Sequence, residues 1–317
     1  MSSHRKEKRI CSIAGRARKW FYCKVMENLD KYINDLKTLP PAPKVLAQLL
    51  VHLNRKEVHS GEIIELIALD PALTAKVLQR CNSAAAGLSW SVSGLEEGVT
   101  HLGFDAIYQL VAVVVGEGIL GAEQRGYGLG PGDLWEHSVT TAVSARVIAR
   151  NFSGNENLVF TAGLLHDIGK LVLGTFLEKA RQPILVKTGV AGISLIEAEK
   201  AVLGADHAEV GGRLLARWSF PENLIRAVRF HHNPSRARPH DQLAAFVHLG
   251  DVFAHSLGKP KPFEAFAGAV RPEAMQIVGI RGAEIEPLLL EAESALKQCP
   301  GFLARPEEPE THPRVGG

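Results

Sequence analysis

A chain of 317 residues that is 46% hydrophobic and 22% charged is long enough for one large or two modest domains and has the balance of an ordinary globular protein. Its 36 basic and 34 acidic side chains leave a formal charge of +2, so no global field draws it to nucleic acid, and four scattered cysteines (Cys11, Cys23, Cys81, Cys299) without C-x-x-C spacing exclude zinc fingers and a disulfide framework. No uninterrupted apolar run approaches the roughly 18 residues of a membrane span, and the N-terminus lacks an apolar signal core, so a cytoplasmic protein with no membrane span is expected.

Residues 1–36 are expected to form a basic N-terminal extension. His4, Arg5, Lys6, Lys8, Arg9, Arg16, Arg18 and Lys19 are opposed only by Glu7, but no stacking aromatics are interleaved before Trp20, which predicts a solvated arm with no specific nucleic-acid site. Residues 37–121 then run helix after helix. Val45, Leu46, Leu49, Leu50 and Leu53 make one apolar stripe, and Ile63, Ile64, Leu66, Ile67 and Leu69 make the next behind a Ser60 cap. Asp70-Pro71 reads as an N-cap followed by proline at the first helical position, opening a helix through Leu73, Val77, Leu78 and Cys81 that stops near Asn82-Ser83. Leu95, Val99 and Leu102 have helical spacing up to a stop at Gly103. The β-branched run Val111 to Val115 suits a strand by propensity, yet it lies inside the longer apolar segment Ile107 to Leu120, which predicts a buried helix.

Gly121 to Gly132 holds five glycines in twelve residues, and residues 122–132 are therefore expected to be a flexible connection between two lobes. In the second lobe, residues 133–260, Asp133 can cap a helix through Arg150 with Glu136 as its capping-box partner, placing His137 in the second turn and Val139, Val143 and Val147 inward. An apolar helix runs from Phe160 into His166-Asp167-Ile168-Gly169-Lys170. Further helices are expected over Ser194 to Leu203, from Asp206-His207, from Pro221 to His231-His232, and from Asp241 to His255 with Asp251 in its interior. Residues 261–299 read as peripheral helices and 300–317, rich in proline and glutamate, as a disordered tail. With no repeat and no alternating pattern the fold class is all-α, an N-terminal helical lobe packed on a second one with a groove between them.

The polar residues of the second lobe carry the chemistry. His166 offers a neutral imidazole nitrogen, Asp167 a hard carboxylate able to bridge two cations, and Lys170 a point charge suited to a phosphate oxygen. Taken alone, these could simply complement a helix end. His137, His166, Asp167, His207, His231, His232 and Asp251, however, lie on or at the ends of separate helices, which is how helical bundles assemble a metal cluster. Imidazole and carboxylate donors without thiolate suit divalent cations, with iron or manganese expected first and nickel or zinc also compatible.

The segment from Leu39-Pro-Pro-Ala-Pro43 and Leu46, through Asp70-Pro-Ala-Leu-Thr-Ala-Lys-Val-Leu78 and Asn82-Ser83-Ala84, to Leu102-Gly103 resembles the N-terminal half of the HDOD domain, the HD-related output domain of bacterial signalling proteins, and the resemblance continues to about His255. It implies an all-α HD fold and a metal-dependent phosphohydrolase site in which His137, His166, Asp167 and Asp251 match the H…HD…D ligand pattern. His207 and the pair His231-His232 are similar to the extra histidines of the HD-GYP phosphodiesterases, and Lys170 to their phosphate-contacting lysine. Asp133 falls where trinuclear members place a third-metal carboxylate. The departure is the loop after the double histidine: Asn233-Pro-Ser-Arg-Ala-Arg-Pro replaces Arg-x-x-Gly-x-Gly-Tyr-Pro, which sets cyclic di-GMP hydrolysis apart from what is expected here.

Two functions follow. The resemblance implies a signalling output module acting on a protein partner, gated by a retained two-metal site that could take a nucleotide or phosphate ligand; with no receiver, kinase or diguanylate cyclase segment recognisable, it is expected to act as a stand-alone module. The alternative is a phosphohydrolase acting on a nucleotide-like substrate, with Asp167 bridging two cations about 4 Å apart, a water activated between them, and Lys170 neutralising phosphoryl charge.

Overall fold

The computed structural model describes residues 42–53, 60–82, 92–178, 184, 193–258 and 270–298. The N-terminal extension, the C-terminal tail, Leu39 to Pro41, Ser83 to Ser91 and the start of the 261–299 segment lie outside them. Every regular element among the described residues is a helix, so the chain is all-α; one isolated bridge pairs Gln124 with Leu129.

Helices α1 (Lys44–Leu53), α2 (Ser60–Ala68), α3 (Pro71–Cys81) and α4 (Leu95–Leu102) form the first layer. Local chemistry sets their ends. Asp70 Oδ1 accepts from Ala72 N and Leu73 N, both at 3.0 Å, with Pro71 at the first helical position where its missing N–H costs nothing. Asn82 ends α3 and also ties it to the chain ten residues on, donating to Val92 O (2.9 Å) and accepting from Val92 N (2.7 Å). The turn between α4 and α5 passes through Gly103 at φ +83°, a conformation side chains resist. Helix α5 (Phe104–Leu120) absorbs the valine run: Val111, Val113, Ile107, Tyr108 and Leu120 are wholly buried, so tertiary burial overrides strand propensity.

The connection after α5 is not the flexible linker its composition suggests. Gly132 N donates to Gly121 O at 2.8 Å, a 3₁₀ turn spans Arg125–Tyr127, and Tyr127 is 1% exposed, so an aromatic anchor holds a glycine-rich segment against the core. Helix α6 (Asp133–Asn151) is capped by Gly132 rather than by Asp133, whose carboxylate turns back to accept from Gly130 N at 2.7 Å.

Helices α7 (Glu156–Leu165) and α8 (residues 169–178) are separated only by the turn 166–168. The span Glu156–Glu178 has the length and apolarity of a membrane helix, but 83% of its apolar 18-residue window is buried within the protein, where it contributes to the core. Then follow α9 (Leu195–Leu203), α10 (His207–Arg217), α11 (Glu222–Phe230), α12 (Asp241–Leu257), α13 (Pro272–Val278) and α14 (Gly282–Gln298). Helix α9 opens with the full capping box, Ser194 Oγ accepting from Glu197 N while Glu197 accepts from Ser194 N.

The centre of this half is the packing of α12 and α7 on α6. Small residues set the spacing: a Cβ on Gly250 would lie 2.6 Å from Ala145 Cβ, and one on Gly163 would lie 2.8 Å from Ala142 Cα. His137 on α6 and Asp251 on α12 are thereby brought within 3.1 Å of each other. One continuous hydrophobic core runs from Leu46 to Ala292. A cleft of about 340 Å³ lies between α1 and the Arg217–Ser219 end of α10, whereas a larger cavity of about 680 Å³ lies within the second half, where helix termini converge.

Candidate metal centre

All seven side chains singled out in the sequence meet at the inner end of the larger cavity. His137 comes from α6, His166 and Asp167 from the turn between α7 and α8, His207 from the first position of α10, His231 and His232 from the end of α11, and Asp251 from the middle of α12. His137 Nε2 lies 3.1 Å from Asp251 Oδ1 and 3.6 Å from Asp167 Oδ2; His166 Nε2 lies 3.3 Å and 3.7 Å from Asp167 Oδ2 and Asp251 Oδ1. On the other side His207 Nε2 lies 3.2 Å from Asp167 Oδ1 and 3.0 Å from His232 Nε2, with the His231 and His232 ring centroids 3.9 Å apart. Lys170 Nζ is 2.6 Å from Asp167 Oδ2.

The backbone fixes how the rings face. Both α7 and α11 end immediately before a histidine, and in both cases the histidine Nδ1 meets the carbonyl three residues back, His166 to Gly163 O at 2.7 Å and His231 to Val228 O at 2.6 Å. A carbonyl acceptor requires the proton on Nδ1, so Nε2 keeps its lone pair and points into the cluster. His207 is set the same way by a carboxylate: its Nδ1 is 2.8 Å from Glu199 Oε2, which also accepts the His207 backbone N–H at 2.9 Å. Gly169 allows the start of α8 to abut the start of α10, which puts His207 beside Asp167.

Electrostatics follow burial and charge. Burial pushes His231 down to about 3, helped by His166 and His207, and holds His232 well below and His137 below the usual imidazole value. His207 is raised, because Glu199 and Asp167 outweigh the same burial. For Asp167 burial acts upward, yet His166, Lys170 and His207 hold it well below the usual carboxylate range; Asp251 is likewise held down against burial by His137 and His255.

The donors fit a divalent cation. His137 Nε2, His166 Nε2, His231 Nε2 and Asp251 Oδ1 are buried without an aligned hydrogen bond, at a cost of about 1–3 kcal/mol for each polar atom left so. Four overlapping groups, His207-His231-His232, His137-His166-Asp167, His166-His231-Asp251 and His137-Asp251-His255, each bring donor atoms within 4.8 Å of one another and could hold a metal ion.

Three participants were not anticipated. Glu199 is completely buried on α9 and accepts from Tyr127 Oη at 2.7 Å as well as from His207. A signal existed, because Glu199 sits in the buried stripe of Leu195 and Ala198, where a carboxylate needs partners. Tyr127, whose ring lies 5.6 Å from Lys170 Nζ, had none in its glycine-rich setting. His255 stands one turn beyond Asp251 on α12, with Nε2 3.2 Å from Asp251 Oδ1, a spacing legible as i,i+4. Asp133, matched to a third-metal carboxylate, is committed to the Gly130 turn and enters none of the donor groups.

Histidines and aspartates carried by separate helices of an all-helical protein thus gather at one site. The HDOD domain family model matches residues 39–234, and the chain belongs to that family. A protein of Treponema pallidum (strain Nichols), itself uncharacterized, is 26% identical over 241 residues, covering 71% of this chain and 44% of the relative, so the chain spans less than half the length of that relative. Several crystal structures share the fold, two of them as follows. One, from Shewanella amazonensis SB2B and provisionally described as a phosphohydrolase, is 24% identical with a TM-score of 0.64, over 87% of this chain and 98% of that one. The other, from Marinobacter aquaeolei VT8 and provisionally described as a signal transduction protein, is 21% identical with a TM-score of 0.68, over 90% of this chain and 66% of that one.

Proposed function

We propose that this HDOD protein is a cytoplasmic signalling output module whose cluster holds two divalent cations, iron or manganese in the first place, and takes a phosphate-bearing, nucleotide-like ligand that sets its interaction with a protein partner. The observation that carries the metal assignment is the division of Asp167: Oδ2 faces His137 and His166, while Oδ1 faces His207. One cation would be held by His137, His166, Asp167 and Asp251, the other by Asp167, His207, His231 and His232. Divalent ions bound there supply positive charge to a phosphoester and lower the pKa of a water toward neutrality.

A second reading, phosphoester hydrolysis, is favoured by the cavity itself. A purely structural clip would need no opening, yet Asp167, His207, His232 and Asp251 line a space of about 680 Å³ with Arg236 and Arg271 among its walls. Lys170 lines it too and is held beside Asp167, where its ammonium can contact a phosphoryl oxygen.

Metal analysis of the purified protein, paired with product release from a panel of cyclic and linear nucleotides, tests both. Two transition-metal ions per chain are expected. A protein that holds none, even after reconstitution, defeats the metal reading. Metal without turnover, together with metal-dependent nucleotide binding, leaves the module reading; turnover that disappears on Lys170→Ala establishes the hydrolase.

A further inference from the structure

The seven residues leave one face of the cluster unexplained. His255 Nε2 and His137 Nε2 approach the same oxygen, Asp251 Oδ1, at 3.2 Å and 3.1 Å, and the two rings stand 4.8 Å apart. The His137 and Asp251 side chains are 4% and 6% exposed and His255 is 20% exposed; Asp251 and His255 line the cavity, and His137 lies behind them. His255 is therefore the outermost of the three donors, Asp251 faces the cavity beneath it, and His137 is interior.

We propose that His137, Asp251 and His255 form an outer divalent-cation station, at which an ion arriving through the cavity is captured before it moves to the inner set of His137, His166, Asp167 and Asp251. The inference rests on the metal reading above and adds the route by which that site is loaded. Bonds of about 2.0–2.1 Å in a tetrahedral shell place neighbouring donors about 3.4 Å apart, close to the separations around Asp251 Oδ1.

The two stations cannot be filled together. His137 belongs to both, and one imidazole nitrogen has one lone pair to give, so the outer position is an alternative place for the same ion and not a place for an extra one. Moving inward exchanges His255 for His166 and Asp167 while His137 and Asp251 stay bound. Of the inner set only Asp167 and Asp251 face the cavity, so an ion going straight there would exchange its remaining waters for the buried imidazoles of His137 and His166 in one step. A partly exposed ligand at the mouth divides that exchange into two steps.

The test follows uptake of Co(II) by chelator-stripped protein through its visible absorption, together with release to excess chelator and the final metal content. His255→Ala is expected to slow uptake and release alike by about tenfold while the ions bound per chain at equilibrium stay those of the wild type. His255→Asp, which returns an oxygen donor to the mouth, should restore the fast phase. Unchanged rates in the alanine variant overturn the station, as does an aspartate variant as slow as alanine. Loss of one whole ion per chain at equilibrium overturns it in favour of a permanent third ion. If the wild type takes up no cobalt, the metal reading falls and this inference with it; if the wild type loads normally and only the His255 comparison fails, the metal reading stands.

Discussion

Gly169 and His207 meet through their backbones: a Cβ on Gly169 would lie 1.9 Å from the His207 carbonyl oxygen and 2.6 Å from Gly211 N. No rotamer change relieves such an overlap, because backbone opposes it on both sides. The start of α10 would have to move, and with it His207 Nε2, now 3.2 Å from Asp167 Oδ1. Gly169→Ala should cost about 1–3 kcal/mol of stability and reduce metal content. Urea denaturation and metal analysis of one preparation check both, and a variant as stable as wild type with full metal would show that the contact is not what seats His207.

Glu199 should act on the cluster through His207. Glu199→Gln keeps the shape but removes the charge that raises His207 and holds its Nδ1, so metal affinity should fall about 10–100-fold. Tyr127→Phe removes only one donor to Glu199, and a loss of about 1 kcal/mol in stability with a smaller loss in affinity is expected. Nitrogen-15 chemical shifts of His207 give an independent reading: Nδ1–H should dominate in the wild type and be less favoured in Glu199→Gln. Equal metal affinity in both proteins would count against the role.

Loss of Asp167 and loss of His232 should differ in kind. Asp167 faces both halves of the cluster, so Asp167→Ala should empty both positions, whereas His232→Ala should weaken mainly the position shared with His207. Lys170→Ala should leave metal content near normal, since an ammonium has no lone pair to give. Titrating the three variants with Mn(II) separates these outcomes. Equal loss in the Asp167 and His232 variants would argue against a shared carboxylate.

Metal-free protein should lose stability in mild acid. His137, His231, His232 and His248 are all held below the imidazole value of 6.5, His231 at about 3, so between those limits the unfolded chain binds protons that the folded chain refuses. Each such group lowers stability by up to about 1.4 kcal/mol per pH unit as pH falls from 6.5 toward its folded value. His207 works the other way: its raised value adds stability that is complete below 6.5 and is lost as pH rises through the folded value. Four groups against one predict a falling urea midpoint from pH 7 to pH 5 in the presence of chelator. A midpoint that rises over that range would contradict the burial of neutral imidazoles.

How much of this could be read in the chain depends on whether a residue's role is written in its own type and spacing. The seven convergent residues are legible because each is a recognisable metal donor on or at the end of a helix, and Asp70-Pro71 announces its cap by itself. Glu199 was half legible, as a carboxylate in an apolar stripe. The segment 121–132 misled because composition records the freedom of its glycines but not the pocket that receives Tyr127. Asp133 misled for a related reason: an acidic residue at a helix start suits cap, turn and ligand equally, and Gly130 N decides.

Helix α5 is walled on both sides. It packs against α3 and α4 on one flank and against α7 and α6 on the other, and the hydroxyls of Tyr108 and Thr161 bond across the second flank. A gene fragment cut at Gly121 would therefore encode a protein with one flank of α5 bare, including Tyr108. Expression trials that divide the chain at its glycines should yield insoluble halves, while co-expression of the two pieces should recover soluble material. The useful seam for building chimeras in this protein is thus not where the glycines are.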